Sequence, residues 1–300
     1  MSKDYIDVPI FTTINDIENR KFTLSATQYK TFNIKNKNVM TIRDFLDRDL
    51  NKKDQGNDPG GDAYVKKSDY IFIKTKALQN YSYLLDKTKD SIEYITPFAF
   101  QNQELKKGDL LISRDSNVGE IVILDKDYKN AMLCGGIYKL PISKNKYYLL
   151  AFIKNSIVRD QIDFMVPRGS TLRHGKTIFL DCEIPMPNIR KDETILYIEN
   201  LMKAIINKEE EIQKKHEEIL KLIDEELKNN QKDNKFIYKL PQIKDVIELD
   251  RMDSALYTME FKQKEFQITN YLYGTSTIEE LGFEKPSRGQ NLQISNIGKS

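Results

Sequence analysis

The residues of this chain that could do chemistry lie in two short stretches, and both offer cations and small polar groups rather than nucleophiles. Residues 165–176 read MVPRGSTLRHGK, with Arg168, Arg173, His174 and Lys176 around a Gly-Ser-Thr turn and no acidic residue between Asp163 and Asp181. Gly169 would let the backbone approach a ligand closely, and Ser170 and Thr171 can donate to phosphate oxygens. Residues 106–124 read KKGDLLISRDSNVGEIVIL, placing Ser113, Arg114, Ser116 and Asn117 in the turn between two apolar runs. A hairpin there presents a guanidinium fork beside short polar groups, which suits base edges and phosphates. Lys74 and Lys76, in IFIKTKAL (71–78), are two further candidate phosphate contacts. A plainer reading stands beside each: a basic loop facing solvent, and an Arg114 paired with Asp115 or Asp109.

Enzyme signatures are missing. The sequence contains no P-loop or dinucleotide glycine pattern, no HExxH, no EF-hand loop and no GxSxG. The Asn/Asp-Pro-Pro-aromatic element of amino-methyltransferases is absent too, and NDPGGD (57–62) reads only as a turn. His174 and His216 are the two histidines, which leaves little for a Ser/His/Asp arrangement. Cys134 and Cys182 sit beside apolar residues without ligand spacing and read as small buried hydrophobes. The expectation is a chain with no catalytic residue, no metal site and no cofactor of its own.

The elements that must position these groups follow from length and pattern. With 300 residues, 39% of them hydrophobic, the chain can bury a core as one large domain or two smaller ones. No apolar run approaches the ~18 residues of a membrane span, and MSKDYIDVPIF has no apolar signal region, so a cytoplasmic protein away from membranes is expected. Net charge is +2, but its distribution says more: residues 1–190 carry 30 Lys and Arg against 24 Asp and Glu, residues 191–234 carry 8 against 12, and residues 235–300 carry 9 against 9. A basic body is followed by an acidic, highly charged segment.

Within residues 1–188, DYIFIKT (69–75), DLLISR (109–114), EIVILD (120–125) and GIYKLPI (136–142) predict strands separated by turn material. Residues 146–165 predict one helix, so this domain is of mixed α+β class. The prolines of CEIPMPN (182–188) end it. Residues 189–230 then predict a long spacer helix with a heptad seam: Ile195, Ile198, Met202, Ile205, Glu209, Ile212, His216, Ile219 and Ile223. At 1.5 Å per residue its periodic part, residues 192–228, would run about 55 Å, too long to bury its seam on its own domain, so a second helix should face it. Leu201, Ile205, Ile212, Ile219 and Ile223 are the candidate partner-binding face, and His216 reads as a tolerated polar member of the seam. Residues 236–300 begin a further, incomplete α+β domain. A faint echo links LSATQYKTF (24–32) with DSALYTMEF (253–261) at an offset of 229 residues.

The ordered series KKGDLLISRDSNVGEIVIL, GGIYKLPI, YYLLAFIKNS, RGSTLRHGKTIFLDCEIPMPN and a long helix resembles the specificity (S) subunits of Type I restriction-modification systems. The resemblance covers a target-recognition domain, a spacer helix and the opening of a second recognition domain. It implies a non-catalytic subunit whose recognition domains each read one half of a bipartite site in double-stranded DNA. Methyltransferase (M) subunits, which bind S-adenosylmethionine, would dock on the spacer helices and bring the restriction (R) subunits. Such subunits are tandem repeats of domain and helix, and this accounts for the echo. Here the second copy breaks off early. The chain is expected to act as a half-subunit whose helix pairs with that of a second S half, reading a palindromic bipartite site, or to be a fragment. Two other readings remain open: a coiled-coil adaptor that binds no DNA, and the specificity part of a larger nuclease or methyltransferase assembly.

Overall fold

A computed structural model of the chain describes residues 6–7, 9–19, 22, 24, 29–34, 36, 38–165, 176–232, 235–249 and 251–282. The chain divides into two compact units, Met1–Gln213 and Lys214–Ser300.

The described elements of the first unit are, in order, β1 (Ile6–Asp7), α1 (Ile14–Asn19), β2 (Thr31–Phe32), β3 (Val39–Thr41), β4 (Tyr64–Val65), β5 (Tyr70–Ile73), β6 (Ile92–Ile95), β7 (Leu110–Ser113), β8 (Ile121–Ile123), β9 (Ala131–Leu133), β10 (Ile137–Leu140), α2 (Lys146–Ile153), α3 (Ser156–Met165), β11 (Glu183–Pro185) and the start of α4 (Lys191–Asn229). At its centre is an antiparallel sheet ordered β10-β7-β8. Successive strand residues point to opposite faces, and here both faces are buried. Leu110, Ile112, Ile121 and Ile123 enter one core with α2, α3 and the first turns of α4, while Leu111, Val122 and Ile137 enter another with β5 and β9. That is why these strands read as continuous apolar runs rather than as an alternating pattern. A second sheet, β4-β6-β5-β9, covers the second core; its β5 and β9 run parallel, Ile71 opposite Ala131 and Ile73 opposite Leu133. Residues 69–75, 109–114, 120–125 and 136–142 thus contain β5, β7, β8 and β10. The local pattern does not announce β6 and β9, because their pairing is non-local.

The helix expected over 146–165 is two helices. Asn155 breaks it: its Oδ1 accepts from the Ile157 amide at 3.0 Å, acting as the N-cap of α3. Asn-Ser is a capping pair, and the side chain competes with the backbone for that donor.

α4 is a single helix of 39 residues with Asp192 and Glu193 in its first turn, where they complement the helix dipole. Its buried stripe is Ile195, Met202 and Ile206, with Ile198 packed alongside. Ile205, expected in the seam, is 47% exposed while its neighbour Ile206 is 5% exposed. The spacing from Ile195 to Ile206 is three turns of an ordinary helix at about 3.6 residues per turn, whereas a strict heptad would select Ile205. A straight helix lying on a globular body follows the former.

The second unit contains the rest of α4, α5 (Ile243–Leu249), a 3-10 turn at Ser254–Tyr257 and α6 (Met259–Thr269). No strand occurs among its described residues, although Gln231 and Tyr271 form an isolated antiparallel bridge. Phe236 stacks near Phe266 at 5.5 Å, Tyr238 donates to the Tyr257 carbonyl at 2.7 Å, and Tyr271 donates to Glu226 at 2.6 Å. α1 starts at Ile14 and α5 at Ile243, at the same offset as the echo in the sequence. The two starts share one capping bond. Asp16 Oδ2 accepts from the Thr13 amide at 3.0 Å, and Asp245 Oδ2 accepts from the Gln242 amide at 2.7 Å.

Candidate nucleic-acid interface

The β7–β8 turn is a rigid platform. The Gly119 amide donates to the Ser113 carbonyl at 2.8 Å and the Glu120 amide to the Asn117 carbonyl at 3.1 Å, and the Ser113 hydroxyl closes the turn on that same carbonyl. Gly119, with φ 81°, packs so closely on α3 that a Cβ would stand 2.2 Å from Ile162 Cδ1. Asn117 is exposed at the tip. Arg114 is committed: its Nε donates to Asp115 Oδ2 at 2.9 Å, and its guanidinium sits 5.9 Å from the Tyr138 ring centroid. The plainer pairing is therefore the one formed.

Lys74 and Lys76 lie at the end of β5, next to this turn. Gly136 marks the junction, since a Cβ there would meet Thr75 Cγ2 at 2.7 Å and Asp115 Cβ at 3.6 Å. Lys74 Nζ pairs with Glu93 at 2.8 Å and Lys76 Nζ with Asp90 at 3.5 Å. Exposed pairs of this kind contribute about 0–1 kcal/mol and exchange readily for other partners. Lys176 is exposed, with φ 45°. Arg168, Ser170, Thr171 and Arg173 lie outside the described residues. Around Gly136 the backbones that carry Thr75 and Asp115 approach each other, while Lys74 and Lys76 are turned to Glu93 and Asp90.

Sequence reasoning missed a larger polar cleft, about 870 Å³, between the 51–57 loop and the 101–104 segment. Its walls come from three distant parts of the chain, so no local spacing announces it.

It also missed how α4 is fastened. Glu209 accepts from the Ser82 hydroxyl and from the Tyr83 amide at 3.0 and 3.2 Å. Beneath it, Lys154 Nζ donates to the Gln79 and Ser82 carbonyls at 2.6 Å each and lies 3.9 Å from Glu120, which Arg159 pairs at 3.0 Å. Burial pulls the Lys154 ammonium down to about 8, against the attraction of Glu120 and Glu209. The same burial pushes the thiols of Cys134 and Cys182 up, to about 11 and about 12, so neither is an activated nucleophile. Glu209 stands out in the sequence as a polar seam residue, but its partner, the 79–84 loop, does not. Beyond the anchor, Ile212, Ile219 and Ile223 are exposed, as are Leu201 and Ile205 on the flank of the anchored part.

No helix among the described residues is long and apolar enough to cross a membrane, and no three of their His, Cys, Asp or Glu side chains cluster as metal ligands.

No family model matches the sequence, and no curated protein does. The solved structures similar to it include specificity subunits of Type I restriction-modification systems. One is the S subunit from M. genitalium, at 13% identity over 63% of this chain and 42% of that chain, with a TM-score of 0.38. Another is the HsdS subunit from Thermoanaerobacter tengcongensis, at 13% identity over 59% and 39%, with a TM-score of 0.36. A third belongs to a structure of complex assembly and conformational transition in a type I R-M system, at 16% identity over 61% and 43%, with a TM-score of 0.35. The chain spans about two fifths of the length of these solved chains.

Proposed function

We propose that this chain is a DNA specificity subunit of a Type I restriction-modification system, without catalysis of its own. In this reading the first unit reads one half of a bipartite site in double-stranded DNA. The exposed apolar side of α4, from Leu201 to Ile223, receives methyltransferase subunits or the helix of a second S half; restriction subunits join through the methyltransferase, which supplies S-adenosylmethionine.

The observation that carries the reading is the restart of the fold. After α4 comes a helix, α5, that starts at the offset where the sequence itself repeats and shares with α1 the bond from the preceding residue's amide to an aspartate three residues on. A tandem of domain and helix is what the motif series implies, and the anchored, then exposed, α4 has the form of a spacer. Rigid turns with exposed polar tips supply the reading surface.

One observation favours a second reading, an adaptor that binds no DNA: Arg114, Lys74 and Lys76 are each paired with an acid. Co-purification with the cognate methyltransferase subunit, followed by selection from a randomised duplex pool, separates the two. A complex that enriches a bipartite motif supports the specificity subunit. A folded complex that retains no duplex at low salt supports the adaptor.

A further inference from the structure

We propose that the polar cleft between the 51–57 loop and the 101–104 segment is a contact surface for double-stranded DNA. Lys52 and Lys53 would take backbone phosphates, the amides of Asn57, Gln101 and Asn102 would face base edges, and Phe98 would make an apolar contact at the rim. The proposal deepens the DNA reading above and rests on it, but it moves the contact surface away from the paired cations of the hairpin.

The cleft is rigid because both walls hang on the β9–β10 segment, where the chain passes from one sheet to the other. On one side the Gly56 amide donates to the Ile137 carbonyl and the Asn57 amide to the Leu133 carbonyl, each at 2.9 Å. Gly56 is pressed against that segment so tightly that a Cβ would lie 2.0 Å from the Cys134 carbonyl oxygen. Gln55 adds a bond from Nε2 to the Gly135 carbonyl at 2.9 Å. On the other side the Leu133 amide donates to Gln103 Oε1 at 2.7 Å, and Lys139 Nζ donates to the Gln103 and Glu104 carbonyls at 3.1 and 3.2 Å. A surface held this way loses little conformational freedom on binding.

Its charges are sorted. Asp54 is neutralised by Arg48 through two bonds of 2.6 and 2.7 Å, Lys139 pairs with Asp109 at 3.7 Å, and Glu104 is exposed to solvent. Lys52 and Lys53 are exposed, and neither forms an ion pair among the described residues. They are therefore available to phosphates, unlike Lys74, Lys76 and Arg114. Beyond Asn57 the rim carries the carboxylates of Asp58 and Asp62 and becomes acidic. Phosphates thus belong at the Lys52–Lys53 end and bases at the other, where Asn and Gln amides match adenine edges and a carboxylate can accept from cytosine.

Phe98, fully exposed, lines a neighbouring hollow of about 380 Å³ with Asp58 and Asp62, which shares Gln101 with the cleft. A lone exposed apolar residue is ordinary, but this one is held out by a bonded turn. The Thr96 amide donates to the Ala63 carbonyl at 2.9 Å, the Ala99 amide to the Thr96 carbonyl at 3.1 Å, and Phe100 packs on Tyr70 at 4.7 Å. Such a ring fits a thymine methyl or a base step.

The test uses the full chain and labelled duplexes of randomised sequence, at ~50 and ~200 mM salt. K52E/K53E should bind at least about tenfold more weakly at low salt. Its salt slope should fall by about 2, making its loss of affinity across that range about 15-fold smaller than that of the unaltered protein. K214E/K215E, the same charge change on the solvent side of α4, should bind normally. Phe98→Ala should keep the affinity for the random pool and lose sequence enrichment. Normal binding by K52E/K53E, or an equal loss in K214E/K215E, would overturn the cleft and leave the DNA reading standing; unchanged enrichment with Phe98→Ala would remove Phe98 from it. If the unaltered chain retains no duplex at low salt, the DNA reading itself fails.

Discussion

Ile205 and Ile206 are chemically identical neighbours on α4, and the fold assigns them opposite surroundings, so replacing each by Ala tests where the helix meets its domain. Ile206 is 5% exposed within the core that holds α2, α3 and β7. Truncation to Ala removes about three methylene equivalents at ~0.8 kcal/mol each and leaves a cavity. Ala is the better helix former by about 0.4 kcal/mol, so Ile206→Ala should destabilise the first unit by about 3 kcal/mol. Ile205 is 47% exposed. About half its transfer term is at stake and the propensity gain offsets part of that, which leaves about 0.5–1 kcal/mol. The chain has no Trp, so urea unfolding is best followed by far-ultraviolet circular dichroism and tyrosine fluorescence. Equal losses, or a larger one at Ile205, would refute the assignment of the buried stripe and restore a strict heptad seam. In the assembled complex the order should reverse, with Ile205→Ala weakening association and Ile206→Ala acting through stability alone.

Gly56→Ala should destabilise by about 3 kcal/mol and disturb the cleft, because its Cβ would sit 2.0 and 2.5 Å from the Cys134 and Leu133 carbonyl oxygens; Gly60→Ala, with nothing within 4 Å, should stay within about 0.5 kcal/mol in the same urea titration. Lys154 holds its proton less tightly folded, at about 8, than unfolded, near its ordinary 10.5. Between those values the unfolded chain binds more protons, so this group makes stability rise with pH by up to about 1.4 kcal/mol per pH unit, and the rise ends above ~10.5. Urea midpoints from pH ~7.5 to ~9.5 should show a steeper rise for the unaltered protein than for Lys154→Met; identical slopes would place Lys154 in water. Ile212→Asp should leave the melting curve of the isolated chain unchanged, since this residue is exposed, while abolishing assembly with its helical partner on a sizing column.

What the sequence disclosed depended on how local the determining physics was. β5, β7, β8 and β10 were legible because a strand buried on both faces needs an unbroken apolar run. β9 was not, since AML is too short to signal by itself and owes its state to a parallel pairing with β5 across some 60 residues of chain. The break at Asn155 was legible in principle, as Asn-Ser is an N-terminal capping signal, but the strong apolar spacing around it masked the restart. On α4 the heptad and the 3.6-residue period diverge by one position after three turns, and only the surface underneath decides between them. The Arg114–Asp115 pair joins adjacent residues and was visible as an alternative, whereas Asp54 neutralising Arg48 depends on a loop folding back on itself.

The cleft was illegible for a different reason, and that reason bears on what it is for. Its cations, amides and exposed ring come from segments around residues 52, 98 and 101, and the β9–β10 segment supplies both sets of supporting hydrogen bonds, mostly through its backbone. Because the backbone does the supporting, most of the cleft's outward side chains have no structural role. Lys52, Lys53, Phe98 and Gln101 can change without cost to the frame, while changes at Gly56, Gln103 or the β9–β10 segment disturb it. Under the proposed DNA reading, outward residues that can be exchanged on a fixed frame would let such a surface read one sequence or another without refolding. Exchanging Gln101 should therefore alter sequence preference with no loss of stability, and a destabilising Gln101→Ala would show that the residue belongs to the frame.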